Sequence, residues 1–335
     1  MQKVAFVGAG NIAQSHMPSV NDRENSRIVA VCDVDAGRAK ETADRLDARP
    51  YTDHTRMLEE TAPDAVYVCI PPFAHGRIEL DLAERGIPFC VEKPVHLDLA
   101  AAVRVAEAVR ERNLVTSVGY QVRYAPQVAE ALDFLQSRDI SLAQGWFIGG
   151  MPPTPWWRQK AKSGGQIVEQ ATHTVDLLRM LTGDIDTVHA VASTGAMSDV
   201  EDYDVEDATV ASVRFKSGAA GQISTACVLC EGGTPQVGLR LDGRNYTIDL
   251  TYTSLTISAA EEDLSHEYPE ALPNAMRDLD NAFLDAAAGD PTHPIHSPYE
   301  DAVRSLAVTL AINRSLETGH PVRPDDLIEE ARRSS

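Results

Sequence analysis

The chain has 335 residues, of which 30 are Lys or Arg and 50 are Asp or Glu, a formal net charge of −20. Apolar residues at 43% and charged residues at 24% make an ordinary globular balance, and the length suggests two domains, each able to bury a core. The acidic excess argues against nucleic-acid or anionic-membrane binding, and no run of about 18 apolar residues offers a membrane span.

The opening MQKVAFVGAG enters a strand directly, without the basic and apolar regions of a signal peptide, so a cytoplasmic protein is expected. Short apolar runs then alternate with helical stretches. KVAFVG (3–8) precedes a helix from residue 11, and RIVAVCD (27–33) precedes one over 36–46. DAVYVCI (64–70) leads to a helix over 74–85, PFCVEK (88–93) to one over 98–112, and LVTSVGY (114–120) closes the series. Unbroken apolar strands alternating with helices predict a parallel sheet covered on both faces, an α/β domain of Rossmann type over residues 1–121.

After Gln121 the texture changes. A helix over 126–137 leads to WFIGG and the Pro/Trp-rich MPPTPWWRQK, and Gly164 and Gly165 introduce a helix over 167–182. Residues 187–258 read as successive strands, with hairpin turns at Ser217-Gly218 and Asp242-Gly243. The stretch 273–318 reads as helical, with an apolar stripe that includes Ala302, Leu306, Leu310 and Ile312. Residues 122–335 are therefore expected to form an α+β domain on a large, open, mostly antiparallel sheet. Helices would cover one face and a second subunit the other, so a homodimer or homotetramer is expected.

Five cysteines are present. Cys32, Cys69 and Cys90 lie in apolar strands, where a small buried thiol is the ordinary reading. Cys227 and Cys230 fall in a predicted strand, where positions three apart face opposite ways, so neither a disulfide nor a metal is expected.

Gly8, Gly10 and Ala13 spell G-x-G-x-x-A between the first strand and the first helix. Gly8 permits the tight turn, and Gly10 lets the backbone approach a pyrophosphate, with Asn11 and Ile12 opening the helix beside it. The helix N-terminus adds N–H groups and a favourable dipole for phosphate. Asp33 ends the second strand twenty residues after Ala13, where a carboxylate accepts hydrogen bonds from an adenosine ribose. A glycine-rich turn alone is weak evidence; all these parts in register are much stronger. Asp33 repels a 2′-phosphate, so NAD is favoured over NADP, and Arg38 five residues on softens that preference.

Glu92-Lys93-Pro94 stands at the C-terminal end of its strand, the edge where ligands bind in open α/β sheets. Between Lys40 and Lys160, Lys93 is the only lysine. An amine there can hydrogen-bond a reacting hydroxyl and stabilise it as its proton leaves. Taken alone, the tripeptide is simply a turn after a strand. In SGGQIVEQATHTVDLLRML (163–181), Glu169 and His173 are four apart and share a helix face, with Asp176 one turn later. His173 can accept a hydroxyl proton while Glu169 orients it. The three are also conceivable metal ligands, but no further His or Cys is close, and no metal is expected. Each alone is compatible with an ordinary polar helix surface.

Together these motifs resemble the Gfo/Idh/MocA family of sugar and polyol oxidoreductases. The resemblance runs over essentially the whole chain. It includes GAGNIA, Ile70-Pro71-Pro72 with His75 following, EKP, VGYQVRYAP, the E-x-x-x-H-x-x-D segment and the terminal SPYEDAVRSLAVTLAINRSLETGHPV. It implies NAD bound by Gly8, Gly10, Asn11, Ile12, Asp33 and Arg38, with Ile70, Pro71, His75, Glu92 and Lys93 lining the same cofactor site. It also implies a catalytic group of Lys93, position 169 and His173; Glu169 stands where the family's dehydrogenases commonly have Asp. Arg123, Trp157, Arg158 and Asp176 are the expected substrate contacts, since arginines bind hydroxyls and an aromatic packs on a sugar face. Core packing for the tryptophan and ion pairing for the arginines are the plainer readings. The expected activity is NAD-dependent dehydrogenation of a sugar, inositol or related polyol. The alternatives are a redox-neutral NAD-dependent glycosidase and a non-catalytic NAD-binding sensor.

Overall fold

The computed structural model describes residues 1–260, 263–290 and 292–334. Two compact units are present: one comprises Met1–His96, Ala101–Gln121 and Met276–Asp301, and the other is chiefly Val122–Ala275 followed by the chain from Ala302.

The first unit carries strands β1 (Gln2–Val7), β2 (Ser26–Cys32), β3 (Arg49–Tyr51), β4 (Ala65–Val68), β5 (Phe89–Val91) and β6 (Thr116–Val118). Between them run helices α1 (Asn11–Asn21), α2 (Ala36–Arg45), α3 (His54–Thr61), α4 (Arg77–Arg85) and α5 (Leu99–Glu111). All pairings are parallel, in the order β3-β2-β1-β4-β5-β6. Strands enclosed on both faces need apolar side chains at consecutive positions, and Val4, Ala5 and Phe6 are all fully buried. The order reverses between β1 and β4, and the crevice at such a reversal is where open α/β sheets take ligands.

Neither β3 nor α3 was expected. β3 is a three-residue edge strand containing Pro50, which an edge tolerates, and α3 starts where the Asp53 carboxylate accepts the Arg56 N–H at 2.7 Å. The C-terminal helical stretch is also interrupted: α10 (Ala271–Ala287) and α11 (Tyr299–Thr318) are separate helices. The part of α10 from Met276 belongs to the first unit, where Phe283 meets Tyr67 edge-on at 5.3 Å and Tyr67 stacks on Phe6 at 4.7 Å. Val118 of β6 exchanges hydrogen bonds with Ser297: its N–H donates to the Ser297 carbonyl at 2.8 Å and its carbonyl accepts the Ser297 hydroxyl at 2.7 Å.

The second unit holds α6 (Pro126–Leu135), β7 (Ile140–Ile148), α7 (Lys160–Ser163), α8 (Gln166–Glu169), α9 (Thr172–Thr182) and β8 (Ile185–Ser193). It continues through β9 (Ala208–Phe215), β10 (Ala220–Ala226), β11 (Gln236–Gly243), β12 (Tyr246–Thr251), β13 (Ser254–Ala259) and β14 (Asp263–Glu267), and ends with α12 (Pro324–Ser334). The eight-stranded order is β14-β13-β12-β11-β7-β10-β9-β8, antiparallel except for the β7–β10 pair. β9 alternates buried and exposed residues, as a sheet packed on one face requires. α9 lies close on that sheet: a Cβ at Gly145 would come within 2.5 Å of Thr174 Cγ2, so glycine gives the helix room. On the outer face Val191 and Val210 are cross-strand partners, 63% and 43% exposed.

Two local expectations are corrected here. The β11–β12 turn falls at Arg244-Asn245, because Asn245 adopts the left-handed conformation (φ +66) while Gly243 still pairs with Tyr246. Cys227 and Cys230 lie beyond the end of β10 rather than within it, the first buried and the second exposed, and all five cysteines are free thiols. Among the described residues no helix is long and apolar enough to cross a membrane.

Candidate active site

In the first unit the turn out of β1 passes hard against the end of β4. Gly8 has φ +94, and a Cβ there would lie 2.0 Å from the Cys69 carbonyl oxygen. Only glycine meets both conditions. Gly10 is the N-cap of α1; no side chain caps this end, no acidic residue stands in its first turn, and nothing lies within 4 Å of where a Gly10 Cβ would be. α4 differs. There Glu79 folds back so that one oxygen accepts the Gly76 N–H at 2.6 Å and the other lies 2.6 Å from His75 Nδ1. Of these two helix ends, α1 is the one that keeps its N–H groups and dipole available to an anion, which fits a dinucleotide pyrophosphate.

Asp33 follows β2 and is held by the backbone: one oxygen accepts the Ala9 N–H and the other the Asp35 N–H, each at 2.9 Å. A carboxylate has about four acceptor positions, so capacity for ribose hydroxyls remains. Arg38 approaches Asp33 at 3.5 Å from an exposed position. Asn11 is exposed, and Ile12, Ile70 and Pro71 are partly so, whereas His75 is buried against Glu79 and braces its loop. Val34, directly after Asp33, is 96% exposed. Glu92 is buried just past β5, and the partly exposed Lys93 follows, joined to Pro94 by a cis bond.

In the second unit Glu169 ends α8 and His173 lies in the first turn of α9, separated by a turn at Gln170 and Ala171. The single helix expected over 167–182 is therefore two. Trp157 is 1% exposed, packed with Val205 and Cys227, and its indole N–H donates to Glu169 Oε2 at 2.9 Å. The ring face expected to receive a sugar is enclosed, and its polar edge positions Glu169 instead. Arg158 is partly exposed.

Arg123 and Asp176, expected at the substrate, answer each other. Arg123 Nε and Nη2 donate to the two oxygens of Asp176 at 2.6 and 2.5 Å, and both residues are buried. Ser305 donates to Asp176 at 2.7 Å and accepts from Arg179 at 2.7 Å. This bidentate pair, with Ser305, occupies both oxygens of Asp176. Arg123→Ala is expected to destabilise the fold by roughly 3–5 kcal/mol, because it strands a buried carboxylate; chemical denaturation measures it, and an unchanged midpoint would refute the structural role.

A sheet of this order, with its glycine turn at the reversal, is the frame of a dinucleotide-binding protein. Residues 2–120 match the model of the GFO/IDH/MocA oxidoreductase family, described as an NAD-binding Rossmann fold, and residues 137–249 match the model of the family's C-terminal domain. A similar relative is scyllo-inositol 2-dehydrogenase (NAD(+)) from Bacillus subtilis (strain 168), 26% identical over 96% of both chains. Among solved structures, an oxidoreductase from Agrobacterium radiobacter in complex with NAD+, L-tartaric acid and magnesium is 18% identical. It aligns with TM-score 0.85 over 97% of this chain and 99% of that one. A levoglucosan dehydrogenase in complex with NADH and levoglucosan is 20% identical, with TM-score 0.84 over 96% and 98%. The chain belongs to the GFO/IDH/MocA family. It is an NAD-dependent oxidoreductase acting on CH–OH groups.

Proposed function

We infer that the enzyme oxidises a secondary alcohol of a sugar, inositol or related polyol. The observation that carries this reading is the uncapped α1 N-terminus and Asp33 sharing one sheet's carboxyl edge with Lys93. NAD, when bound, supplies the hydride acceptor. Gly8, Gly10, Asn11 and Ile12 hold the pyrophosphate, Asp33 the ribose, and Ile70 and Pro71 flank the nucleotide. Lys93 donates a hydrogen bond to the reacting oxygen and stabilises it as the hydroxyl proton leaves, and His173 accepts that proton. Glu169, held by Trp157, orients the histidine or grips a neighbouring hydroxyl, and Arg158 offers donors to others. The inositol and levoglucosan named for relatives support a polyhydroxylated substrate. Free thiols support a cytoplasmic location, and the paired bare valines on the eight-stranded sheet support a homo-oligomer.

The test is NADH formation, by absorbance, against inositols, aldoses and sugar acids, each with NAD and with NADP. Oxidation of one of these with NAD is the expected result. A blank panel from protein that still binds NAD would overturn the reading of these polyols as substrates and point to glycoside cleavage or to a substrate outside the common sugars. Release of a leaving group from an aryl glycoside would then identify redox-neutral cleavage, and its absence an outside substrate or a cofactor-binding sensor.

A further inference from the structure

Behind the Glu92–Lys93 turn lies a set of charges for which the chemistry above has no use. His16 of α1 and Asp280 of α10 are fully buried, and Glu92 nearly so. His16 Nδ1 is 2.6 Å from Asp280 Oδ1, and its Nε2 is 3.1 Å from Glu92 Oε1. The other oxygen of Glu92 accepts the backbone N–H of Lys93 at 3.2 Å. Gly119 closes the far side, where a Cβ would stand 2.2 Å from Glu92 Oε1. The His16 ring lies 5.2 Å from that of Tyr67.

We propose that His16 is a positioning residue for Lys93: clamped between Asp280 and Glu92, it fixes the carboxylate that holds the Lys93 backbone. The proposal rests on the reading of Lys93 as the group at the reacting oxygen. A buried ionic set is a poor device for stability alone, since apolar residues of equal volume commonly do as well. It is a good device for fixing geometry, and catalysis is sensitive to geometry: about 1 Å of misplacement costs on the order of 10²-fold. Burial is the largest influence on His16 and opposes charging the ring. The charge and hydrogen bond of Asp280, with those of Glu92, outweigh it and raise the pKa to about 10. The buried groups Tyr67, Cys69 and Cys90 also face Asp280, and their own protons are held well above the usual range, first by burial. At neutral pH the clamp is thus an imidazolium between two carboxylates. Its contribution to stability is complete below the ordinary imidazole value of 6.5 and fades as the pH rises through about 10.

The test compares His16→Leu, which removes both contacts, with His16→Gln, whose amide retains a donor near the Nε2 position. His16→Leu is expected to lower kcat on the order of 10²-fold, with KM and NAD affinity within about twofold, and His16→Gln to recover most of the loss. In a Lys93→Ala background, His16→Leu should subtract nothing further, because both act through one group. Should His16→Leu fail to fold, Asp280→Asn and His16→Gln carry the same comparison. Unchanged kcat in the His16 variants, or equal losses of kcat and NAD affinity, would overturn the proposal. If Lys93→Ala itself retains turnover, the reading of Lys93 has failed instead.

Discussion

Replacing Lys93 with alanine is expected to lower turnover by roughly 10²–10⁴-fold while NAD affinity stays nearly intact. The lysine follows the short strand β5, and Glu92 is buried immediately before it, so the backbone at this point is anchored independently of the amine. Truncation should remove the donor at the reacting oxygen and leave the α1 N-terminus and Asp33 untouched. Single-turnover NADH formation separates chemistry from product release, and fluorescence titration with NADH reports the cofactor site. Lys93→Arg sharpens the test. Arginine keeps a cation and donors but cannot give up its proton, so rescue by arginine would assign the effect to electrostatics alone. Loss of cofactor binding with turnover per bound cofactor preserved would instead remove Lys93 from the chemistry.

The second large effect is expected at Asp33. Removing a carboxylate that accepts from ribose hydroxyls should weaken NAD by about 1.5–3 kcal/mol, the range for hydrogen bonds to a charged group. Asp33→Ala also releases the Ala9 and Asp35 N–H groups, so some damage to the loop is built into the variant. The comparison with NADP resolves this. Damage to the loop weakens both cofactors alike, whereas loss of a ribose acceptor weakens NAD selectively and relieves the repulsion of a 2′-phosphate. Arg38, 3.5 Å from the carboxylate, would then be left beside the phosphate. Equal weakening of NAD and NADP would sink the ribose assignment.

What could be read from the sequence divides by the range of the signal. β1, the glycine turn, α1 and β2 are specified by neighbours a few residues apart, and they form as expected. β3 is three residues with a central proline, too short for any period to show. The break between α10 and α11 was legible: Gly289, Pro294 and Pro298 stop a helix, and only the apolar stripes on either side made the stretch read as continuous. Trp157 shows a different limit. Composition reveals an aromatic beside the Glu169 segment, but only packing decides whether its face is open or its indole N–H is spent on Glu169. The same holds for Arg123 and Asp176, whose opposite charges made each look available to a substrate until they met. Asp280 lies furthest beyond local reading: its partner His16 is 264 positions away, and no pattern around either residue records the other.

The return of Met276–Asp301 to the first unit gives the protein a timetable during its synthesis. Strands β1 to β6 leave the ribosome well before α10 exists. At ~5–20 residues per second, the wait from Gln121 to Met276 is on the order of ten seconds. Through that interval the nascent nucleotide half lacks Asp280 for His16, Phe283 for Tyr67 and the Ser297 bonds that cover β6. All eight strands of the other sheet are translated before these pieces arrive. The half made first therefore waits for a late segment before it is sealed, and a chaperone or an early dinucleotide would meet it while its back is still open; the second unit closes later still, when the chain from Ala302 follows.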